Sequence, residues 1–389
     1  MLDTFGGARP FVEVQDELMA AGHDVVVDDG GMGALFLRAE DCEALMTGRQ
    51  FGAVALPILH LSGVVDGPLH DLWSVLMFGK DGDDHRGLRS AVAGFFTPSG
   101  VERWRPAVET IAGELAAALP EDRPFDLWDA FALPMAARTT CHTVGIPPAD
   151  VTTVTPWALD LVQAFAFLTP ETRARAEAAA VGFTAYLDTL LAAKQNDPAD
   201  DIASTVAADP GRALTYEERR GLVANMTFGG MDALIKVVTT GVFHLLTLGR
   251  WPEFAAEPAQ LALPATEELL RFFPPTGAVV RGVIDPTECG GVTITPGQVV
   301  LPSLRAACRD AALFERPDEL DLHRPPGRQF AFGAGPHYCL GAPLVRLAIP
   351  AALAALAHHC PSLRLAEPEG DVQWGGAPFY GVERLLLRR

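Results

Sequence analysis

The sequence predicts a mainly α protein with a minor β part, and three observations carry that expectation. Long stretches repeat apolar residues at helical spacing. Gly and Pro fall at the joints between those stretches. Short strand-like runs occur near the start and again after residue 276. The 389 residues are 49% hydrophobic and 20% charged, a composition that buries a large core and does not resemble a disordered chain. No linker separates independent units, so the expectation is one domain over 1–389.

Ala34–Arg38 reads as a strand and Ala39–Met46 as a short helix. Leu56–Val65 is apolar, punctuated by Pro and Gly and without a clean period, so it is expected to be a loop that lies under other structure or lines a pocket. Helical spacing then runs through Asp84–Phe96, Val101–Ala118, Leu127–Val144, Pro156–Phe167, Glu171–Lys194 and Tyr216–Leu248. The last of these is apolar through its middle and should cross the centre of the fold, as one helix or as two broken at Gly229-Gly230. A helix at Ala265–Phe273 precedes strands at Gly277–Val283, Val292–Thr295 and Gln298–Leu301, with Gly290-Gly291 and Pro296-Gly297 as hairpin turns. An irregular stretch, Ala312–Gly335, leads to a last helix, Ala342–His358, and the tail Gly376–Leu387 reads as loop and strand.

The formal net charge of −19 argues against nucleic acid or an anionic membrane as the main partner, since both need basic surface. Met1–Phe11 shows no basic run followed by an apolar stretch, and no run reaches the ~20 apolar residues of a membrane span. A cytoplasmic protein is expected. The six cysteines (Cys42, Cys141, Cys289, Cys308, Cys339 and Cys360) form no CxxC pair and do not make a disulfide framework.

One cysteine stands in a distinctive setting. Phe332-Gly-Ala-Gly-Pro-His-Tyr-Cys-Leu-Gly341 is a glycine-rich loop that delivers Cys339 to the start of an apolar helix. Free N–H groups and the helix dipole at such a terminus favour a thiolate, the form that binds a metal. A lone cysteine beside a turn is more often a buried structural residue. A zinc site from His337 and Cys339 lacks a second ligand pair. Elsewhere, Glu268 and Arg271 share a helical face, as do His85 and Arg89; taken alone, each would be an ordinary surface pair.

The Cys339 segment resembles the haem-binding signature of the cytochrome P450 superfamily (Phe, two residues, Gly, one residue, His or Arg, one residue, Cys, one residue, Gly) at every fixed position, and the resemblance extends along nearly the whole chain. It implies a bacterial-type haem-thiolate monooxygenase with the P450 fold: a triangular, prism-like helical domain with small sheets, its haem b sandwiched between a long central helix and the Cys-ligand helix. By that resemblance Cys339 ligates iron, Phe332 and Gly341 shape the cofactor loop, and His337, His85, Arg89 and Arg281 hold the haem propionates. Glu268 and Arg271 become a buried structural pair. A third charged partner is expected from the loop before Cys339; Glu319 stands there, and Arg316 or Arg324 is the substitute.

On the central helix, Gly229-Gly230-Met231-Asp232-Ala233-Leu234 matches the stretch that opens over haem and relays protons in the family. Asp232 fits the acid, whereas Ala233 replaces the usual threonine and has no hydroxyl. A substrate hydroxyl or an extra water could stand in, or the chemistry could be peroxide-driven or an oxidative coupling; substrate- or water-assisted monooxygenation is the reading adopted. The pocket implied by position takes its roof from Leu56–Val65 and Phe165–Thr169. Its walls come from Met226–Leu234, Thr276–Val280 and Phe379-Tyr380. Leu59, Phe165, Phe167, Met226, Ala233, Leu234, Thr276, Val279, Val280 and Phe379 are its candidate substrate contacts. Each singly would pass as core; as a set they suit a mid-sized, largely apolar organic molecule, with His60, Thr276 and Tyr380 as polar anchors. The expected partners are that substrate, O2, and a separate ferredoxin and ferredoxin reductase docking near Arg346 on a monomeric protein. A non-catalytic haem or ligand-binding role is the remaining alternative.

Overall fold

The computed structural model describes residues 10–28, 30–208, 213–376 and 379–389. Helices dominate, and the strands form small sheets. Gly33–Phe36, buried along its whole length, lies between Val25–Val27 (antiparallel) and Val299–Pro302 (parallel); Arg281–Val283 and Phe51–Gly52 complete the five-stranded sheet. This sheet fixes Arg281, whose Cα pairs with that of Val300.

The expected central helix is two helices, Tyr216–Phe228 and Met231–Thr247, broken at Gly229-Gly230. Thr215 caps the first through a reciprocal box with Glu218, which satisfies two terminal N–H groups. The second packs against Leu133–Val144, Ala342–His359 and the C-terminal strand Gly381–Arg384. The run Tyr216–Thr247 and the helix Ala342–His359 are in fact long and apolar enough to cross a membrane by length and composition, contrary to the sequence expectation. Burial accounts for the first, since 78% of its most apolar window lies inside the protein.

Other expectations shift at their edges. Asp84–Phe96 is the helix Gly82–Ala93 followed by a tight turn, Gly94–Phe96. Val101–Ala118 becomes a helix over Arg105–Ala117, and a π-turn at Trp128–Ala132 runs into Leu133–Val144. The helix expected from Pro156 starts earlier, at Val151, carries Pro156 inside, and ends at Val162. Pro170–Asn196 is capped by Thr169 and Thr172. Pro258–Phe272 absorbs Pro264. The helices Phe11–Ala20, Gly67–Ser74, Ile202–Ala208 and Trp251–Ala256 were not expected.

Leu56–Val65 is not a loop: Ala55–Leu61 is a helix that turns Leu59 inward and leaves His60 and Leu61 exposed. Pro57 falls in its first turn, where a missing N–H costs nothing, so the proline there is no breaker. Gly290-Gly291, both at positive φ, do turn a hairpin between Thr287–Cys289 and Val292–Ile294. Pro296-Gly297 makes a turn closed by Gln298 N–H to Thr295 O at 3.2 Å, but the strands it joins belong to different sheets. Of Gly277–Val283 only Arg281–Val283 is a strand. The tail carries two strands, Gly381–Arg384 and Leu386–Arg388; residues 377 and 378 of that segment lie outside the described residues.

Candidate active site

The Cys339 loop is built on left-handed glycines. Gly333 and Gly335 adopt φ of 71° and 70°, and a Cβ on Gly335 would fall 2.6 Å from the Met46 carbonyl oxygen. Neither the backbone nor the space admits a side chain there. Gly335→Ala is therefore expected to cost about 1–3 kcal/mol, read as a lower urea midpoint and poorer cofactor retention. The Cys339 N–H donates to Phe332 O at 2.9 Å and closes the loop. The Cys339 side chain is exposed. Protein packed around the thiol raises its proton affinity, while the N–H groups of Gly341 and Ala342 and the cations Arg89 and Arg346 oppose that rise. These are the helix-terminus conditions that favour a thiolate ligand.

Four basic side chains converge beside this loop. His85 and His337 lie with ring centroids 4.2 Å apart. His337 Nε2 meets Asp81 Oδ1 at 2.8 Å, and the other Asp81 oxygen accepts from the Ala53 N–H at 2.6 Å. Arg89 donates to Tyr338 O at 2.8 Å. Arg281 is only 8% exposed, and its guanidinium has no hydrogen-bond partner among the described residues. Desolvation, reinforced by His337, Arg89 and Arg281, pushes the His85 imidazolium down to about 4. Desolvation with Arg281 and Arg89 likewise lowers His337, against the pull of Asp81. Two partly or wholly buried guanidinium groups beside two imidazoles, which an added anion would bring back toward the protonated form, make a site that wants anionic oxygens. Asp81, which supplies one carboxylate to it, has no local sequence signal.

Between Gly221 and Phe243 the central helices are buried except along one stripe. Met226, Gly229 and Ala233 are half-buried and Gly230 is exposed, whereas Thr227, Phe228, Met231 and Asp232 are buried. The stripe follows helical spacing and leaves open space over the break. Asp232 is 5% exposed, and burial raises its carboxyl to about 6, with Lys236 pulling it down and Glu383 up. Asn225, one turn before the break, buries an Oδ1 without a partner.

Of the pocket residues, Phe165 and Phe379 come together at 6.4 Å between ring centroids. Phe165 also packs on Phe78, Trp73 and Phe228. Thr276 bridges Phe379, Val279 and Val280 are half-buried, and Leu59 is fully buried. Leu234, one turn after Gly230, is buried. Phe167 is 44% exposed and joins no ring cluster among the described residues, because the chain turns outward after Phe165. His60 is exposed and stacks on His70.

The Glu268–Arg271 pair is buried, at 2.7 and 2.8 Å. Its third member is Arg324, whose Nε lies 3.0 and 3.1 Å from the two Glu268 oxygens; Arg316 pairs with Glu319 and Asp321 instead. Arg346 is held by Glu267 at 2.6 Å and by the Tyr338 hydroxyl at 3.1 Å, and its side chain is partly exposed.

A cysteine at a helix start, an anion-seeking basic cluster and an opened central helix define a haem-thiolate protein, and the residues present fit that cofactor. Comparison with known proteins agrees. Residues 264–362 match the family model "Cytochrome P450". The chain is 31% identical to the mycinamicin IV hydroxylase/epoxidase of Micromonospora griseorubida over 80% of its own length and 77% of that protein. It is equally 31% identical to the cytochrome P450 monooxygenase PikC of Streptomyces venezuelae, over 80% and 75%. Among solved structures, P450BioI in complex with an acyl carrier protein superposes with a TM-score of 0.89 at 26% identity, covering 97% of this chain and 98% of that one. The tirandamycin C-bound monooxygenase TamI gives 0.84 at 30% identity, over 97% and 96%. The chain belongs to the cytochrome P450 family, and it is a P450 monooxygenase.

Proposed function

We propose that this P450 inserts one oxygen atom from O2 into a mid-sized, largely apolar organic substrate in specialised metabolism. In this reading the whole chain is one cytoplasmic, monomeric haem b domain that draws electrons from a separate ferredoxin and reductase. The observation that carries it is the exposed Cys339 at the start of the Ala342–His359 helix, which packs against the central helix, together with the open stripe of Met226, Gly229, Gly230 and Ala233 on the central helices. A relative named as a mycinamicin IV hydroxylase/epoxidase and a similar monooxygenase structure with tirandamycin C bound support the substrate class.

Bound haem supplies the O2-activating iron; a thiolate ligand favours O–O cleavage. The chain does the rest. Cys339 provides the ligand from the loop, with Phe332 and Gly341 flanking it. His85, Arg89, Arg281 and His337 hold two carboxylates by charge-assisted bonds, and Arg281 and His85 keep donors free for them. Gly229 and Gly230 break the helix and leave room that a side chain would fill. Leu59, Phe165, Thr276, Val279, Val280 and Phe379 exclude water and orient the substrate. Asp232 holds the proton. With its carboxyl near 6, it is protonated in a useful fraction close to neutrality, where an ordinary carboxyl would be almost wholly ionised. Ala233 places no hydroxyl between Asp232 and the open space, so a water or a substrate hydroxyl completes the path.

The test is turnover under isotopically labelled O2 with a ferredoxin and its reductase. One labelled oxygen atom per product molecule is expected. Product formed only with hydrogen peroxide, or coupled product without labelled oxygen, overturns the reading in favour of the peroxide-driven or coupling alternatives.

A further inference from the structure

The central helix carries a lysine at a position where burial is nearly complete. Lys236, one turn beyond Asp232, is 1% exposed. Its ammonium donates to Glu383 Oε1 at 2.9 Å and to the Gly375 carbonyl at 3.1 Å, and it sits 4.8 Å from the centre of the Trp128 ring.

Three glycines make the space. A Cβ on Gly376 would lie 2.8 Å from Lys236 Nζ, one on Gly381 3.2 Å from its Cδ, and one on Gly375 2.6 Å from Glu383 Oε2. A mere clamp between the helix and the Gly381–Arg384 strand is already present: Thr239 donates to Val382 O at 2.8 Å, and Thr240 accepts from Val382 N–H at 3.0 Å. Lys236 adds something those contacts do not need.

Asp232 and Lys236 stand at i and i+4 with the acid first, the spacing and order in which such residues pair. They do not pair. Among the described residues the Asp232 carboxyl makes no hydrogen bond or ion pair, although it is buried. Its natural counter-ion is held instead by Glu383, an acid on another element whose side chain is 45% exposed. A buried carboxyl left alone stays protonated more readily than a paired one. The charged groups that act on Asp232 are Lys236 from its own helix and Glu383 from the strand. The π-turn packed on the same face contributes Trp128.

We propose that Lys236 and Glu383 are positioning residues for proton delivery: Glu383 holds the Lys236 ammonium away from Asp232, so that Asp232 remains free to carry a proton toward the reacting oxygen. This rests on the reading of Asp232 as the proton-carrying acid. Loss of Glu383 releases Lys236 to pair with Asp232 and locks that carboxyl in its ionised form. Loss of Lys236 removes the only cation acting on it among the described residues and holds the proton more tightly.

The experiment follows the Asp232 carboxyl of the haem-loaded protein by isotope-edited infrared titration, assigned through its disappearance in Asp232→Asn. Glu383→Gln is expected to lower the midpoint, and Lys236→Met to raise it, each by about one pH unit or more. In the double variant, Glu383→Gln should lose most of its effect, since it acts through Lys236. Product formed per O2 consumed should fall severalfold in Glu383→Gln while the thiolate spectrum stays unchanged. Shifts in the same direction, no shift in either variant, or an undiminished Glu383→Gln effect without Lys236 would overturn the proposal and leave only a clamp. Lys236→Gln repeats the measurement should the methionine variant fold poorly. Full coupling in Asp232→Asn would instead remove the underlying reading of Asp232, whatever the infrared midpoints show.

Discussion

Cys339→Ser is expected to keep its fold and to lose the strongly red-shifted Soret band of the reduced, carbon monoxide-bound protein, together with all O2-dependent turnover. The fold survives because the Cys339 side chain is exposed and the loop is held by backbone groups: Cys339 N–H on Phe332 O at 2.9 Å and Gly333 N–H on Phe330 O at 2.8 Å. The spectrum changes because a serine hydroxyl is not ionised near neutrality and gives iron no thiolate. No other cysteine can take over. Cys42 donates to two backbone carbonyls in the core, and Cys308 accepts from the Phe330 N–H; burial pushes both thiols up. A normal red-shifted band in Cys339→Ser would refute the ligand assignment and every role built around it. The same spectrum of Cys308→Ser should match the unmodified protein.

What could be read in the sequence divides along contact range. The Cys339 loop, Glu268 with Arg271, His85 with Arg89, and the Gly229-Gly230 break each lie within one turn or one loop, where spacing alone places residues on a common face. The groups that complete them come from far along the chain. Asp81 reaches His337 across 256 positions and Glu383 reaches Lys236 across 147, and no periodicity encodes such meetings. Arg316 and Arg324 were equivalent as sequence; only the path of the irregular loop, with a left-handed Arg316, turns one toward Glu268 and the other toward Glu319. The Ala55–Leu61 helix was hidden because a proline in a first turn looks like a proline in a loop. Phe165 and Phe167 were indistinguishable as apolar residues two apart, and the turn between them sends one into an aromatic cluster and the other toward solvent.

The largest stability effect is expected at the buried charge network that ties the helix Pro258–Phe272 to the irregular stretch before Cys339. Arg271 is 2% exposed and donates to both Glu268 oxygens and to the carbonyls of Cys308, Pro317 and Glu319 at 2.7–3.1 Å. Glu268 in turn accepts from Arg324 and from the Asp321 N–H. Replacing such a network whole by apolar groups can be neutral, but removing one member leaves buried charge on the others uncompensated and costs roughly 3–5 kcal/mol. Glu268→Ala leaves two guanidinium groups without their shared carboxylate, and Arg271→Ala leaves the Cys308 and Pro317 carbonyls undonated among the described residues, while Glu319 O keeps Arg324. Against a total stability of about 5–15 kcal/mol, either change should lower the urea midpoint sharply and leave much of the protein insoluble or free of haem. Arg324→Ala should cost less, since that side chain is 13% exposed and water can reach the groups it abandons. Arg271→Lys should not rescue, because a single ammonium cannot reproduce the planar fork that meets both carboxylate oxygens and three carbonyls at once. Urea midpoints in the order unmodified, Arg324→Ala, then Arg271→Ala and Glu268→Ala together are the expected result. Equal midpoints for all four proteins would show that the network is idle.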